Sequence, residues 1–143
     1  MISFKPKNTQ TDLVKALQFL NKISRHKSIV FILSDFADAG YHESLRVAAK
    51  RHDVVGIQVY DEKDSKLPEF PGGGLIQVQD PETGELVWLD TGDALTRHSY
   101  NQQFERILYD AKQTFRNAGA DLMQLATGQD YVKALQQFFI RRA

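Results

Sequence analysis

Apolar positions along the chain alternate between two rhythms. Short unbroken runs mark buried strands, and stripes at a spacing of three and four residues mark helices. The run Ser28 to Phe36 reads Ser-Ile-Val-Phe-Ile-Leu-Ser-Asp-Phe, with five consecutive apolar residues leading into Ser34 and Asp35. Taken alone it predicts a strand over Ser28 to Leu33 buried on both faces, as inside a parallel sheet. A second run, Asp53 to Tyr60, predicts another strand, and it also ends on acids, Asp61 and Glu62. A third strand is expected from Ala120 to Leu125.

Helical stripes separate these runs. Leu13, Ala16, Leu17, Leu20 and Ile23 predict a helix opened by Thr9 or Thr11. A second helix is expected over Gly40 to Arg51, with Leu45, Val47, Ala48 and Ala49 as core candidates. The longest is expected within Asp93 to Asn117, its stripe running through Phe104, Ile107, Leu108, Ala111, Phe115 and Ala118, with Gly119 as a left-handed cap. A last helix should run from about Gln129 to Arg141, turning Tyr131, Leu135, Phe138 and Phe139 inward. Leu75 to Gln79 and Glu85 to Leu89 read as a hairpin around Asp80-Pro81-Glu82-Thr83-Gly84, expected as an antiparallel edge. Helix and strand in alternation give an α/β domain with a mostly parallel sheet. No linker divides residues 1–143, so one domain is expected.

Composition narrows the function classes. Of 143 residues, 18 are basic and 18 acidic, so no bulk charge draws the chain to nucleic acid or to a membrane surface. The absence of cysteine excludes disulfides and thiolate metal sites and fits a cytoplasmic location. No apolar run approaches the ~20 residues that span a bilayer, and the first residues do not read as a signal peptide.

Candidate chemistry gathers at strand ends, since open α/β sheets bind ligands at the carboxyl ends of their strands. Asp35, with a hydroxyl from Ser34 or Thr11, could offer oxygen ligands to a hard cation such as Mg²⁺. On spacing alone these residues serve equally as a helix cap and a turn former. Asp90-Thr91-Gly92 matches the tripeptide of aspartic proteases, but a helical pattern follows where that all-β fold would continue as strand. His26, His42, His52 and His98 show no metal spacing. Pro71-Gly72-Gly73-Gly74 lacks the Lys-Ser or Lys-Thr of a phosphate loop. The Arg141-Arg142 end reads as a solvated helix terminus.

Several stretches together carry a family resemblance. They are Thr11-Asp12-Leu13 with Ala16-Leu17, Ile32-Leu33-Ser34-Asp35-Phe36, Arg51-His52-Asp53-Val54-Val55-Gly56, Asp61-Glu62 with Leu67-Pro68, Gln79-Asp80 with Glu82-Thr83-Gly84-Glu85, and Leu135 with Phe138-Phe139 and Arg141. In this order the chain resembles the C-terminal half of a bacterial family of von Willebrand factor A-like proteins, catalogued as domain of unknown function fifty-eight and often encoded beside MoxR-type AAA+ ATPases.

The resemblance implies a Rossmann-like, three-layer α/β/α fold, truncated at its N-terminal side. It implies a non-enzymatic protein-interaction domain whose partner is a MoxR-type AAA+ ATPase. It also implies a metal-ion-dependent adhesion site, in which Thr11 matches the threonine loop and Asp35 the aspartate loop, beside Ser34. The Asp-x-Ser-x-Ser loop of such sites is absent from this sequence, so Mg²⁺ is expected to bind weakly or not at all. By the same resemblance the Ser28 to Leu33 strand lacks its neighbour, and a homodimer through that bare edge is expected. The alternative from another class is a hydrolase, through Asp90 in a dimeric aspartic protease or through metal at Asp35.

Overall fold

The computed structural model describes residues 12–68, 70, 73–79 and 84–142. Among them the elements run α1 (Leu13–Ile23), β1 (Ile29–Ser34), α2 (His42–Arg51), β2 (Asp53–Tyr60), a single 3-10 turn (Glu62–Ser65), β3 (Leu75–Gln79), β4 (Leu86–Asp90), α3 (Ala94–Ala118), β5 (Asp121–Ala126) and α4 (Tyr131–Arg142). Strands β1, β2 and β5 form a parallel sheet in that order, with Phe31 level with Val55 and Ile57 level with Met123.

Alternation along the strands sorts the core. Val30, Ile32, Val54 and Leu122 face one way and pack with Leu13 and Leu17 of α1, Leu45 and Ala48 of α2, and Ala111 and Phe115 of α3. Their odd-numbered neighbours face the other way, where α4 lies; the Phe31 and Phe139 rings meet edge to face at 6.0 Å. Helices thus cover both faces, giving the three layers expected of the α/β fold. The coverage is unequal: among the described residues one layer holds three helices and the other α4 alone. Arg142 closes the α4 layer by binding Asp53 and Asp121, the first residues of β2 and β5.

Gly56 shows why the sheet and α3 lie so close. A Cβ at this position would sit 2.5 Å from the Phe115 ring and 2.7 Å from Leu122 Cδ1. Glycine in mid-strand here permits the close approach of a helix, at some cost in strand propensity. At the far end of α3, Gly119 has φ 73° and caps the helix in the left-handed conformation, as the sequence predicts.

Four expectations need correction. The Ser28 to Leu33 run is not buried on both faces, since Ile29 and Leu33 are 64% and 67% exposed, and β1 lies at the edge of the sheet, where the family resemblance puts it. Among the described residues no strand pairs with its outer side. The hairpin is not an edge of the main sheet; β3 and β4 form a separate two-stranded sheet, with β5 taking the place beside β2. Its predicted turn, Asp80 to Thr83, lies outside the described residues. Ala16, Ile23, Val47, Tyr131 and Phe139, all expected in the core, are exposed. The second helix begins at His42 and not Gly40, since Gly40 takes φ 83°, outside the helical region.

Candidate functional site

The carboxyl end of β1 is built around an unusual backbone. Phe36 has φ 56°, a left-handed conformation that bulky residues rarely adopt. Such a residue costs on the order of 1–3 kcal/mol and persists only where its surroundings compensate. Here the ring is buried, packed edge to face on Phe115 at 5.0 Å and against Tyr41 at 5.8 Å. The sharp turn lets the chain drive Phe36 into the core while Asp35 stays on the surface.

Short-range hydrogen bonds fix the turn. The Phe36 N–H donates to Ser34 Oγ at 3.1 Å and the Ala37 N–H to Asp35 Oδ1 at 3.2 Å. The Ser34 hydroxyl donates to the same Asp35 oxygen at 3.3 Å. Asp35 is thus an Asx-turn former, as its residue type allows. It is also an exposed carboxylate, one oxygen of which is bound by these two donors.

Two side chains absent from the sequence-based candidates anchor this turn. Gln58, fully buried in β2, donates from Nε2 to the Asp35 main-chain carbonyl at 2.8 Å. Its own Oε1 accepts from Gln124 Nε2 of β5 at 2.9 Å, and Gln124 also donates to the Leu108 carbonyl of α3 at 2.8 Å. The signal was a lone amide in an otherwise apolar run, since a buried polar side chain needs partners. Asp38 is the second anchor. Its Oδ2 accepts the Leu13 N–H at 3.0 Å, tying the loop after β1 to the first turn of α1, where Asp12 caps the Lys15 N–H at 2.8 Å.

Clefts flank the loop on both sides. One, of about 430 Å³, is lined by Asp35, Asp61 and Asp64 with Tyr100 and Phe104 of α3 and Thr127 after β5. Asp61 takes the Lys63 N–H at 2.9 Å, which holds its carboxyl below the usual carboxylate range. The other, of about 810 Å³, lies between residues 36–42 and α3 and includes Asp38, Tyr41, His42 and Asp110. Burial pushes the Tyr41 phenol up to about 12.

Thr11 lies outside the described residues. Ser34 and Asp35 are adjacent and bonded, but they offer one carboxylate and one hydroxyl. Among the described residues no group of three His, Asp or Glu could hold a metal ion. A small hard cation demands near-octahedral oxygen ligation, toward which Ser34 and Asp35 offer one hydroxyl and one carboxylate.

The remaining candidates have structural places. Asp90 ends β4 and accepts the Gly92 N–H at 2.8 Å, while the Thr91 hydroxyl donates to the Gly74 carbonyl at 2.9 Å. The tripeptide is the turn that leads into α3, whose N-terminus Asp93 caps through Leu95 and Thr96. His42 stacks on Tyr41, and His26 and His98 are exposed. His52 is buried at the end of α2 with neither ring nitrogen hydrogen-bonded.

Known proteins place the chain among relatives of unassigned role. It is 30% identical over 134 residues to the uncharacterised protein MAV169 of Mycobacterium avium, covering 93% of this chain and 77% of that protein. It is also 30% identical over 138 residues to the uncharacterised proteins Rv1480 of Mycobacterium tuberculosis and Mb1516 of Mycobacterium bovis, covering 96% of this chain. The chain spans 42% of the length of these two relatives. No solved structure matches it. No helix among the described residues is long and apolar enough to cross a membrane. The model of the family described as protein of unknown function DUF58 matches residues 1–107, and the chain belongs to that family.

Proposed function

We propose that this chain is a non-enzymatic protein-interaction domain of von Willebrand factor A type, and that its partner is a MoxR-type AAA+ ATPase. The observation that carries the reading is the Asp35 loop. A strained backbone at Phe36 and a buried amide network hold one carboxylate outward at the carboxyl end of a parallel sheet, between two clefts. A fixed, exposed acid beside open clefts suits recognition better than turnover.

Asp35, Ser34 and Thr11 are the residues of this chain that would face a divalent ion. The Leu13–Asp38 hydrogen bond ties the first turn of α1 to the loop that follows Asp35. Mg²⁺ held there would supply an electrophilic bridge to a partner's carboxylate. The donors of this chain are too few to hold it firmly, so recognition by the isolated chain runs through the Asp35 carboxylate and the cleft walls.

Co-expression with the MoxR-type ATPase of the same genome tests the reading. The two proteins are expected to elute together in gel filtration, and the Asp35→Ala variant to elute apart from the ATPase. Separate elution of the unmodified pair contradicts the proposal.

A further inference from the structure

The smaller of the two clefts beside the Asp35 loop combines apolar walls with charge of one sign. Its walls come from β2, the 3-10 turn, the hairpin and α3, joined by Asp35 and Ala37 after β1. Tyr60, Val78, Tyr100, Phe104, Ile107 and Leu108 line it, and all are half-buried. The Tyr60 and Phe104 rings meet edge to face at 5.9 Å. The volume of about 430 Å³ falls within the range of ligand pockets, roughly 300–1,000 Å³.

The charge is uncompensated. Asp35, Asp61 and Asp64 line the cleft, and among the described residues no Lys, Arg or His does. None of these carboxylates has an ion-pair partner among the described residues. Lys63 lies next to Asp64 in the chain but lines a neighbouring hollow with Lys66. The Lys63 N–H holds the Asp61 carboxyl low, so Asp61 is charged at neutral pH. The Tyr100 phenol is raised by burial and then by the charge of Asp64, so that charge is felt at the aromatic wall. The hairpin adds to the same sign. From Leu67 to Thr96 the sequence holds Glu69, Asp80, Glu82, Glu85, Asp90 and Asp93 and no basic residue, in a chain whose charges balance overall.

We propose that this cleft receives an arginine side chain, presented by a partner protein within an apolar segment. Apolar walls alone would accept any aliphatic side chain, and the unpaired carboxylates select a cation among them. A guanidinium meets both demands. Its flat face lies on aromatic rings, and its N–H fork matches carboxylates such as Asp61 and Asp64. Its methylene stem suits a wall of Ile107 and Leu108. An ammonium is a strongly hydrated point charge and gains less from the rings. A hard metal ion is a poorer occupant, because it wants oxygen on every side and most of this wall is carbon.

The inference goes beyond the ATPase reading, and its test contains no ATPase. The chain labelled with nitrogen-15 is titrated with acetyl-Leu-Arg-Leu-amide and followed by its amide NMR spectrum. Shifts are expected at residues 59–64, 100–108 and 127. The peptide with citrulline for arginine, alike in shape but neutral, is expected to bind about tenfold more weakly or less, since bonds to a charged group are lost. The arginine peptide should bind the Asp61→Asn, Asp64→Asn double variant with a similar loss. Asparagine keeps the side-chain oxygen that accepts the Lys63 N–H, and an unchanged spectrum away from the cleft checks the fold. Asp90→Asn, outside the cleft, should bind as the unmodified chain does. No shift at the cleft residues overturns the inference. So does equal binding of the citrulline peptide, equal binding by the double variant, or the same shifts from magnesium chloride alone.

Discussion

Gln58 donates its side-chain amide to the main-chain carbonyl of Asp35 at 2.8 Å, from a fully buried position in the central strand. The bond makes the candidate site a property of the core. Through Gln124 it continues to the Leu108 carbonyl, so the loop after β1, the strands β2 and β5, and helix α3 share one polar network. Removing a partner leaves buried groups unsatisfied, which costs about 1–3 kcal/mol per group. Gln58→Leu is expected to lower the urea stability by about that amount. The double variant Gln58→Leu with Gln124→Leu should cost less than the sum of the two single changes, because neighbours in one network are not additive. Equal stability of Gln58→Leu and the unmodified chain would remove the network from the account.

Gly56 and Phe115 make a second, steric prediction. Gly56→Ala drives a methyl to 2.5 Å from the Phe115 ring. Overpacking of this kind costs about 1–3 kcal/mol. Thermal unfolding should show a lowered midpoint, and the added change Phe115→Leu should return part of the loss despite its own cavity. A neutral Gly56→Ala would mean that α3 is not seated as described.

Alkaline titration reads Tyr41 directly. Burial raises its phenol to about 12, so among the five tyrosines it should ionise late when absorbance near 295 nm is followed. Tyr100 is raised as well, again chiefly by burial. The sign for stability follows from linkage. A phenol whose folded value is raised stabilises the fold fully below its ordinary value near 10, and that contribution is lost as pH rises through about 12. Tyr41→Phe should therefore unfold less readily at high pH than the unmodified chain.

Acid titration reads the cap of α3. Hydrogen bonds from Thr96, through side chain and backbone, and from the Leu95 N–H hold the Asp93 carboxyl below its ordinary value of 3.8. A depressed carboxylate contributes stability above its unfolded value, and the contribution is lost as pH falls through the folded value. Asp93→Ala is expected to lower the melting midpoint at neutral pH, and the difference should shrink below 3.8. A difference independent of pH would assign the loss to something other than the charged cap.

Much of the fold was legible because the signals were local. Runs such as Asp53 to Tyr60 and the stripe through Phe104, Ala111 and Phe115 report burial at the residue that carries it, and Gly119 marks a turn only glycine makes easily. What escaped were relations between distant segments. An apolar run alone cannot tell a central strand from an edge strand, so β1 reads as buried while Ile29 and Leu33 are exposed, and its edge position was legible only through the family resemblance. Strand neighbours are likewise silent in the sequence, so the hairpin's separation from the main sheet was not visible. At the site, Asp35 and Ser34 were legible from their place after an apolar run. Gln58 was visible as an exception to its run, but its partner 23 residues earlier was not. Phe36 carries no local mark of its left-handed backbone, since nothing in its residue type favours that conformation.

The central claim is that the Asp35 loop is a protein-recognition surface for a MoxR-type ATPase. Its most direct measurement is the affinity of the purified chain for that ATPase by isothermal titration calorimetry, compared among the unmodified protein, Asp35→Ala and Asp90→Ala. The account predicts binding that Asp35→Ala weakens by about tenfold or more, the loss of roughly 1.4 kcal/mol, while Asp90→Ala binds as the unmodified chain does. No binding by the unmodified chain, or equal binding by Asp35→Ala, contradicts it.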